Sequence, residues 1–194
     1  MHLSTIELPA IEGGKSSRKT FLELATPCIG QEELDAASDV LKSGWLTLGP
    51  RTKAFEEEFA AYVQCKYAVG VSSCTAALHL SLLALDIGPG DEVITSPVTF
   101  AATANTILHT GARVVFADIN PETLNIDPDD IIKKITPKTR AIIPVHMCGR
   151  PCDLERIQEI AEAYHLDVIE DAAHAMGSSY NHLPIGAHSK FTCF

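Results

Sequence analysis

Two adjacent carboxylates, Glu170 and Asp171, directly follow a short apolar run, and the next residues are small apart from His174. A carboxylate where a strand ends can bind a metal, act as a base or pair with a protonated ring nitrogen. A metal site would need further ligands at regular spacing, and only His174 is near. The alanines after Asp171 leave room close to the backbone, so this stretch predicts a ligand site at the edge of a sheet.

A second candidate is VSSCT at residues 71–75, between a predicted strand and a predicted helix. The N-terminal amides of a helix, together with the hydroxyls of Ser73 and Thr75, suit a phosphate monoester. Simple N-capping by Ser73 explains the same residues. The chain has neither a GxxxxGKS/T motif nor a GxGxxG motif, which excludes a P-loop and the dinucleotide fingerprint.

Phe100 and Asp171 indicate which ligand would carry that phosphate. Phe100 directly follows a predicted strand, where an aromatic side chain can stack on a flat ring, although such a residue often belongs to the core instead. Asp171 could keep a pyridine nitrogen protonated, so that the ring accepts electrons from a substrate carbanion. A phosphate site, an aromatic side chain and a carboxylate at one sheet edge together predict pyridoxal 5′-phosphate.

These residues need a fold that brings strand ends together, and the chain alternates predicted helices and strands from about residue 30. The strands are short, rich in Val and Ile and largely unalternating, as expected when helices cover both faces of a parallel sheet. We therefore predict an α/β fold with three layers, α/β/α, around a mostly parallel mixed sheet. The predicted strands are KYAVGVSS (66–73), EVITSP (92–97), RVVFADI (113–119), TRAIIPVH (139–146) and DVIEDAA (167–173), and the predicted helices span 31–44, 51–64, 74–85, 99–111, 127–135 and 153–166.

Composition limits the classes of partner. The chain has 194 residues, of which 46% are hydrophobic, enough for a core. A net charge of −10 argues against sequence-independent binding to nucleic acid or to an anionic membrane.

Six scattered cysteines without a CxxC motif favour reduced thiols, and no signal peptide or long apolar run is present, so we expect a cytoplasmic protein. Residues 1–20 are predicted to form a flexible lead-in.

Three further polar residues receive structural interpretations. His79 lies within an apolar predicted helix and is expected to be structural. His146 is expected to be a hydrogen-bonded histidine beneath the cofactor. Glu170 is expected to point away from the ring, because neighbouring residues of a strand face opposite sides of the sheet.

Several segments together resemble the DegT/DnrJ/EryC1/StrS family of sugar aminotransferases, which have the aspartate aminotransferase fold (fold type I). The resemblance runs from about residue 22 to the end of the chain. It rests on SGWLTLGPRTKAFEEEFA (43–60), VSSCTAALHLSLLAL (71–85), GPGDEVITSPVTFAATANTILHTGARVVFADI (88–119), PVHMCGRPCDL (144–154) and VIEDAAHAMGSSY (168–180).

The resemblance implies transfer of an amino group from L-glutamate to a nucleotide-linked keto sugar, with the cofactor passing through pyridoxamine 5′-phosphate. It implies that Thr75 and the amide of Ala76 hold the phosphate and that Phe100 stacks on the ring. Asp171 would pair with the pyridine nitrogen, and His174 would contact the ring 3-hydroxyl. Cys74 stands where the family often has glycine, and no role for its thiol follows from this difference.

The resemblance also implies a lysine that forms a Schiff base with the cofactor, within the pattern S-F-x-x-x-K. At Phe194 that pattern is about to begin, so the lysine is expected several residues beyond it. Lys190 lies on the wrong side of the pattern. Residues 21–194 are thus expected to be an N-terminal segment plus most of the large domain, without the small C-terminal domain. We expect such a chain to be inactive alone and the full-length protein to be a homodimer.

Two alternatives remain open. In a keto-sugar dehydratase of the same family, histidine replaces the lysine and pyridoxamine 5′-phosphate stays unanchored. In a non-catalytic truncated protein, the chain binds cofactor weakly or pairs with a full-length relative. The residue at the lysine position separates the first alternative from the aminotransferase.

Overall fold

The computed structural model describes residues 8–23 and 26–194. The chain divides into two compact units, Met1–Thr47 and Leu48–Phe194. The lead-in predicted for residues 1–20 lies partly outside the described residues, and its described part contains one 3₁₀ turn, Ala10–Glu12. In the described parts of the chain, no helix has both the length and the apolar character needed to cross a bilayer.

The first unit contains helix α1 (Gln31–Ser43). The Glu33 carboxylate accepts a hydrogen bond of 2.6 Å from the Gly30 amide, which satisfies one donor before the helix begins. Gly44 ends the helix with a φ of 71°, in the left-handed region that glycine adopts at little cost. The helix predicted over 31–44 is confirmed.

The second unit contains five α-helices, a 3₁₀ turn at Met147–Gly149 and seven strands. Its helices are α2 (Pro50–Tyr62), α3 (Cys74–Ala84), α4 (Ala101–His109), α5 (Pro128–Lys134) and α6 (Leu154–Tyr164). Its strands are β1 (Glu92–Thr95), β2 (Arg113–Phe116), β3 (Thr139–Ile143), β4 (Asp167–Asp171), β5 (Ser179–Tyr180), β6 (Leu183–Pro184) and β7 (Phe191–Cys193).

Five of these strands form one sheet in the order β2-β1-β3-β4-β7, and every neighbouring pair is parallel. Strands β5 and β6 form a separate antiparallel pair that the sequence analysis did not predict. Parallel strands need crossover connections, and the helices between them supply these. The carboxyl ends of β1, which leads to Phe100, and of β4, which ends at Asp171, therefore lie at the same edge of the sheet.

Two apolar clusters cover the two faces of the sheet, as the three-layer prediction requires. On one face, Leu78 and Leu82 of α3 and Ile107 of α4 pack with residues of β1, β3 and β4, including Ile143 and Ile169. On the other face, α5 and α6 pack with alternate residues of the same strands. The predicted α/β fold with a mostly parallel sheet is confirmed.

Local sequence explains where three of the helices begin. Ser73 caps α3, and its hydroxyl accepts a hydrogen bond from the Ala76 amide. Asp127 caps α5 and Pro128 occupies the first helical position. Asp153 caps α6 through the Arg156 amide.

The strand predicted at KYAVGVSS (66–73) is wrong. The segment has no assigned strand, and Tyr67 and Val69 are 76% and 78% exposed. The Gly70 amide donates 2.8 Å to Glu56 Oε1 in α2 instead of to a neighbouring strand. A strand needs a paired neighbour for its backbone groups, and the described residues provide none beside this segment.

Candidate functional site

Asp171 is the last residue of β4 and its side chain is only 5% exposed. Its Oδ2 accepts a hydrogen bond of 2.7 Å from the Thr103 hydroxyl of α4. Its Oδ1 has longer contacts, 3.3 Å from the Ala173 amide and 3.8 Å from Cys74 Sγ. The carboxylate thus lies between the starts of α3 and α4, with one oxygen firmly held and the other more weakly bonded.

Backbone pairing fixes the position of this residue on both sides. The Asp171 amide donates 2.9 Å to the Pro144 carbonyl, and the His146 amide donates 3.1 Å to the Asp171 carbonyl. The next amide, of Ala172, donates 2.7 Å to the Cys193 carbonyl of β7. Asp171 is therefore anchored between the extension of β3 and the end of β7.

The start of α3 forms the second part of the candidate site. Ser73 Oγ accepts the Ala76 amide at 3.2 Å, so N-capping by Ser73 is confirmed. Cys74, the first helical residue, brings this helix terminus into contact with Asp171, while Thr75 is exposed. The phosphate-binding role of Ser73, Cys74, Thr75 and Ala76 stays a prediction.

Phe100 precedes α4 and is 78% exposed, so the alternative that it belongs to the core is wrong. Its carbonyl accepts a hydrogen bond of 3.2 Å from the Thr103 amide, and Thr103 Oγ1 lies 3.2 Å from the same carbonyl oxygen. The same hydroxyl lies 2.7 Å from Thr99 Oγ1. The backbone of Phe100 is thereby tied to the helix turn that contacts Asp171.

His174 lies in the turn that follows β4 and is exposed. The turn is held by the Ala175 amide, which donates 2.8 Å to the Ala172 carbonyl. Gly149, with a φ of 83°, packs so closely that a Cβ there would lie 2.9 Å from the His174 carbonyl oxygen. The backbone position of His174 thus depends on a glycine in the loop after β3.

Thr103 is the site residue that the sequence analysis missed. It is fully buried and lies 68 residues before Asp171 in the chain. A signal was present, because Thr103 follows Phe100 by three residues and so lies one helical turn further along the same side of α4.

The local environment suppresses ionisation of the thiol beside Asp171. Burial, followed by the charge of Asp171, raises the pKa of Cys74 to about 12. Burial likewise raises the pKa of Cys193 to about 11. Both groups are neutral thiols at physiological pH, and all six cysteines are free. Cys74 thus offers Asp171 a weak S–H donor and no competing charge.

The remaining candidates lie away from the Asp171 carboxylate. Glu170 Oε2 contacts His146 Nε2 at 2.8 Å and Oε1 accepts from Thr192, so its hydrogen-bond partners differ from those of Asp171, as predicted. Lys190 Nζ lies 3.5 Å from Asp167 Oδ1 at the opposite end of β4. Lys190 directly precedes β7.

This arrangement suits a ligand with a cationic ring atom and an anionic group. Asp171 supplies a buried negative charge, and the start of α3 supplies partly positive amides. Phe100 offers an exposed aromatic face near the same edge. Within residues 8–23 and 26–194, no cluster of three or more His, Cys, Asp or Glu side chains has the arrangement of a metal site.

Comparison with known proteins places this site in a family. The model of the DegT/DnrJ/EryC1/StrS aminotransferase family matches residues 27–194. The spore coat polysaccharide biosynthesis protein SpsC of Bacillus subtilis is 52% identical over 177 residues, which cover 91% of this chain and 46% of that protein. The chain thus spans about half the length of this curated relative.

Solved structures agree with the sequence match. An aminotransferase from Psychrobacter cryohalolentis matches with a TM-score of 0.83 and 40% identity, over 86% of this chain and 42% of that one. A putative sugar aminotransferase from Streptococcus pneumoniae, solved in its PMP form, matches with a TM-score of 0.84 and 36% identity, over 89% of this chain and 47% of that one. The chain belongs to the DegT/DnrJ/EryC1/StrS aminotransferase family.

Proposed function

We propose that this chain is the cofactor-binding part of a pyridoxal-phosphate-dependent aminotransferase. The substrates proposed are L-glutamate as amino donor and a nucleotide-linked keto sugar as acceptor. The observation that carries the proposal is the buried Asp171 carboxylate at the end of β4, held by Thr103 and facing the start of α3. A sugar substrate is supported by the description of the S. pneumoniae relative as a putative sugar aminotransferase and by the polysaccharide biosynthesis named for SpsC.

The residues present fit this cofactor. A protonated pyridine nitrogen needs a carboxylate that stays ionised and has an oxygen available. Thr103 occupies Oδ2 with a short bond, whereas Oδ1 has only the longer contacts to Ala173 and Cys74. The two alanines after Asp171 add little bulk at this edge. When bound, pyridoxal 5′-phosphate supplies an electron sink and carries the amino group between substrates.

The chain's own residues would bind and orient the group. We propose that Thr75 and the first amides of α3 bind the phosphate. The Ala76 amide, which donates to the Ser73 hydroxyl in this structure, would then donate to the phosphate instead. Phe100 would cover one face of the ring, and Asp171 would hold the proton on the ring nitrogen. His174, in the exposed turn after β4, would reach the ring hydroxyl.

We further propose that residues 21–194 are part of a larger subunit that acts as a homodimer. The chain covers 46% of SpsC, which supports a longer functional protein. The lysine that would attach the cofactor is then expected in the sequence that follows Phe194, because Lys190 lies beside Asp167 at the far end of β4.

The direct test is amino transfer in the full-length subunit that contains this chain. The protein is loaded with pyridoxal 5′-phosphate and mixed with L-glutamate, and the absorbance change to the pyridoxamine form is followed together with release of 2-oxoglutarate. We expect conversion in the wild type and a large loss in Asp171→Asn. Cofactor loading without glutamate-dependent conversion would contradict the aminotransferase proposal and favour the dehydratase.

A further inference from the structure

Glu170 and His146 form a fully buried polar pair next to the candidate site. Both side chains are 0% exposed, and His146 Nε2 lies 2.8 Å from Glu170 Oε2. The pair is not part of the chemistry proposed above, since its contacts are separate from those of Asp171. Two buried polar side chains in an apolar core are costly unless every polar atom is bonded, so the hydrogen-bond partners of this pair matter.

The hydrogen bonds assign the protonation of the ring. His146 Nδ1 accepts the Cys152 amide at 3.0 Å, so this nitrogen carries no proton. Nε2 therefore carries the ring proton, and this N–H donates a hydrogen bond to Glu170 Oε2. Glu170 Oε1 accepts a second bond, 3.2 Å long, from the Thr192 hydroxyl of β7. Through this pair, the loop at Cys152 and the ends of β4 and β7 are tied together.

The pair also settles which acidic residue faces the candidate site. Glu170 and Asp171 are adjacent, and a one-residue slip of β4 would exchange their faces. The pattern of two acids in sequence does not distinguish them. His146 does, because its ring donates a hydrogen bond to Glu170 Oε2 while its backbone amide donates to the Asp171 carbonyl.

We propose that the Glu170–His146 pair is a positioning device, which fixes the end of β4 so that Asp171, and not Glu170, is presented to the ligand. Glu170 and His146 act through Asp171 and do not touch the ligand themselves. The expected effect on cofactor binding rests on the function proposed above. The fixing of the strand end does not depend on that function.

The test compares Glu170 with a matched buried glutamate at the other end of the sheet. Glu92 begins β1, is 5% exposed and is bonded to Thr136 and Arg113. Glu170→Met removes both acceptors from the pair, and the milder Glu170→Gln keeps an acceptor for His146. Glu92→Met and Glu92→Gln are the controls. The first readout is hydrogen exchange at the His146 and Asp171 amides.

We expect Glu170→Met to speed hydrogen exchange at these two amides at least about tenfold. Glu170→Gln should give a smaller increase, and the Glu92 variants should give no increase specific to these two amides. The second readout is the dissociation constant of pyridoxamine 5′-phosphate, a probe that binds without the lysine. It should rise about tenfold in Glu170→Met and stay at the wild-type value in Glu92→Met.

Two outcomes overturn the inference. One is exchange in Glu170→Met that matches Glu92→Met, and the other is faster exchange with unchanged affinity for pyridoxamine 5′-phosphate. If the wild-type protein does not bind this probe at all, the proposed function fails, and the exchange comparison alone decides whether the pair fixes the strand end. If Glu170→Met does not fold, the same comparison is made between Glu170→Gln and Glu92→Gln.

Discussion

The Thr103 hydroxyl donates a hydrogen bond of 2.7 Å to Asp171 Oδ2, joining the first turn of α4 to the last residue of β4. Both side chains are buried, so water cannot replace the bond. The contact sets the direction in which the carboxylate points. It also leaves Oδ1 as the oxygen available to a ligand.

Removing this hydroxyl should therefore affect both stability and binding. We expect Thr103→Val to lower the free energy of unfolding by about 1.5–3 kcal/mol, the usual loss for a buried hydrogen bond to a charged group. Affinity for pyridoxamine 5′-phosphate should fall as well, whereas Thr103→Ser should keep most of both. Urea denaturation and fluorescence titration measure the two effects. Equal behaviour of the Val and Ser variants would show that the hydroxyl is unimportant.

The raised pKa of Cys74 predicts a pH dependence of stability. Its pKa rises from 9.0 to about 12 on folding, mainly through burial and then through Asp171. The unfolded chain therefore binds fewer protons than the folded one at alkaline pH, so this contribution is fully present below pH 9 and is lost between about pH 9 and 12.

Cys74→Ala should consequently show a shallower alkaline loss of stability than the wild type. The loss does not vanish, because burial also raises the pKa of Cys193, to about 11. Urea denaturation at a series of pH values gives the slope. As a second check, iodoacetamide should modify the exposed Cys28 and Cys148 well before Cys74. Identical slopes in wild type and variant would contradict this account.

Gly149 offers a test of the turn that carries His174. A Cβ at Gly149 would lie 2.9 Å from the His174 carbonyl oxygen, so Gly149→Ala should displace the turn and weaken binding of pyridoxamine 5′-phosphate. Gly90→Ala is a matched control, since Gly90 also has a positive φ, 100°, but nothing within 4 Å of an added Cβ. Both variants should lose about 1–2 kcal/mol of stability from the left-handed backbone. Only Gly149→Ala should change the affinity.

His165 ends α6 in the left-handed region, with a φ of 55° and a ψ of 45°. Glycine adopts this conformation with less strain, so His165→Gly should raise the free energy of unfolding by about 0.5–1 kcal/mol. Ala163→Gly, at an exposed position inside the same helix, should lower it by about 1 kcal/mol. Thermal denaturation of the two variants should thus give shifts of opposite sign.

The helices and most strands followed from periodicity because each has a local signal. Asp127 with Pro128 marked the start of α5, and Gly44 marked the end of α1. The segment 66–73 has strand-like residues too, but strand formation depends on a partner, and the described chain provides none beside it. Propensity alone could not reveal this.

The candidate site was predictable to the extent that strand ends meet. Asp171 and Cys74, 97 residues apart in sequence, are in contact as expected, although the strand predicted before Cys74 is not formed and α3 reaches Asp171 by packing against the sheet. Thr103 was missed because its spacing from Phe100 shows only that the two residues share a side of α4, whereas its contact with Asp171 depends on how far α4 turns before it meets β4. The partnership of His146 with Glu170 likewise depends on the register between the extension of β3 and the end of β4.

The most direct test of the central claim is the affinity of the protein for pyridoxamine 5′-phosphate in wild type, Asp171→Asn and Asp167→Asn. The last variant is the control, because Asp167 begins the same strand and pairs with Lys190 away from the candidate site. The account predicts saturable binding by the wild type, the same affinity in Asp167→Asn, and at least about tenfold weaker binding in Asp171→Asn, where the charge opposite the ring nitrogen is lost. Equal affinities in all three proteins, or no binding by the wild type, would contradict it.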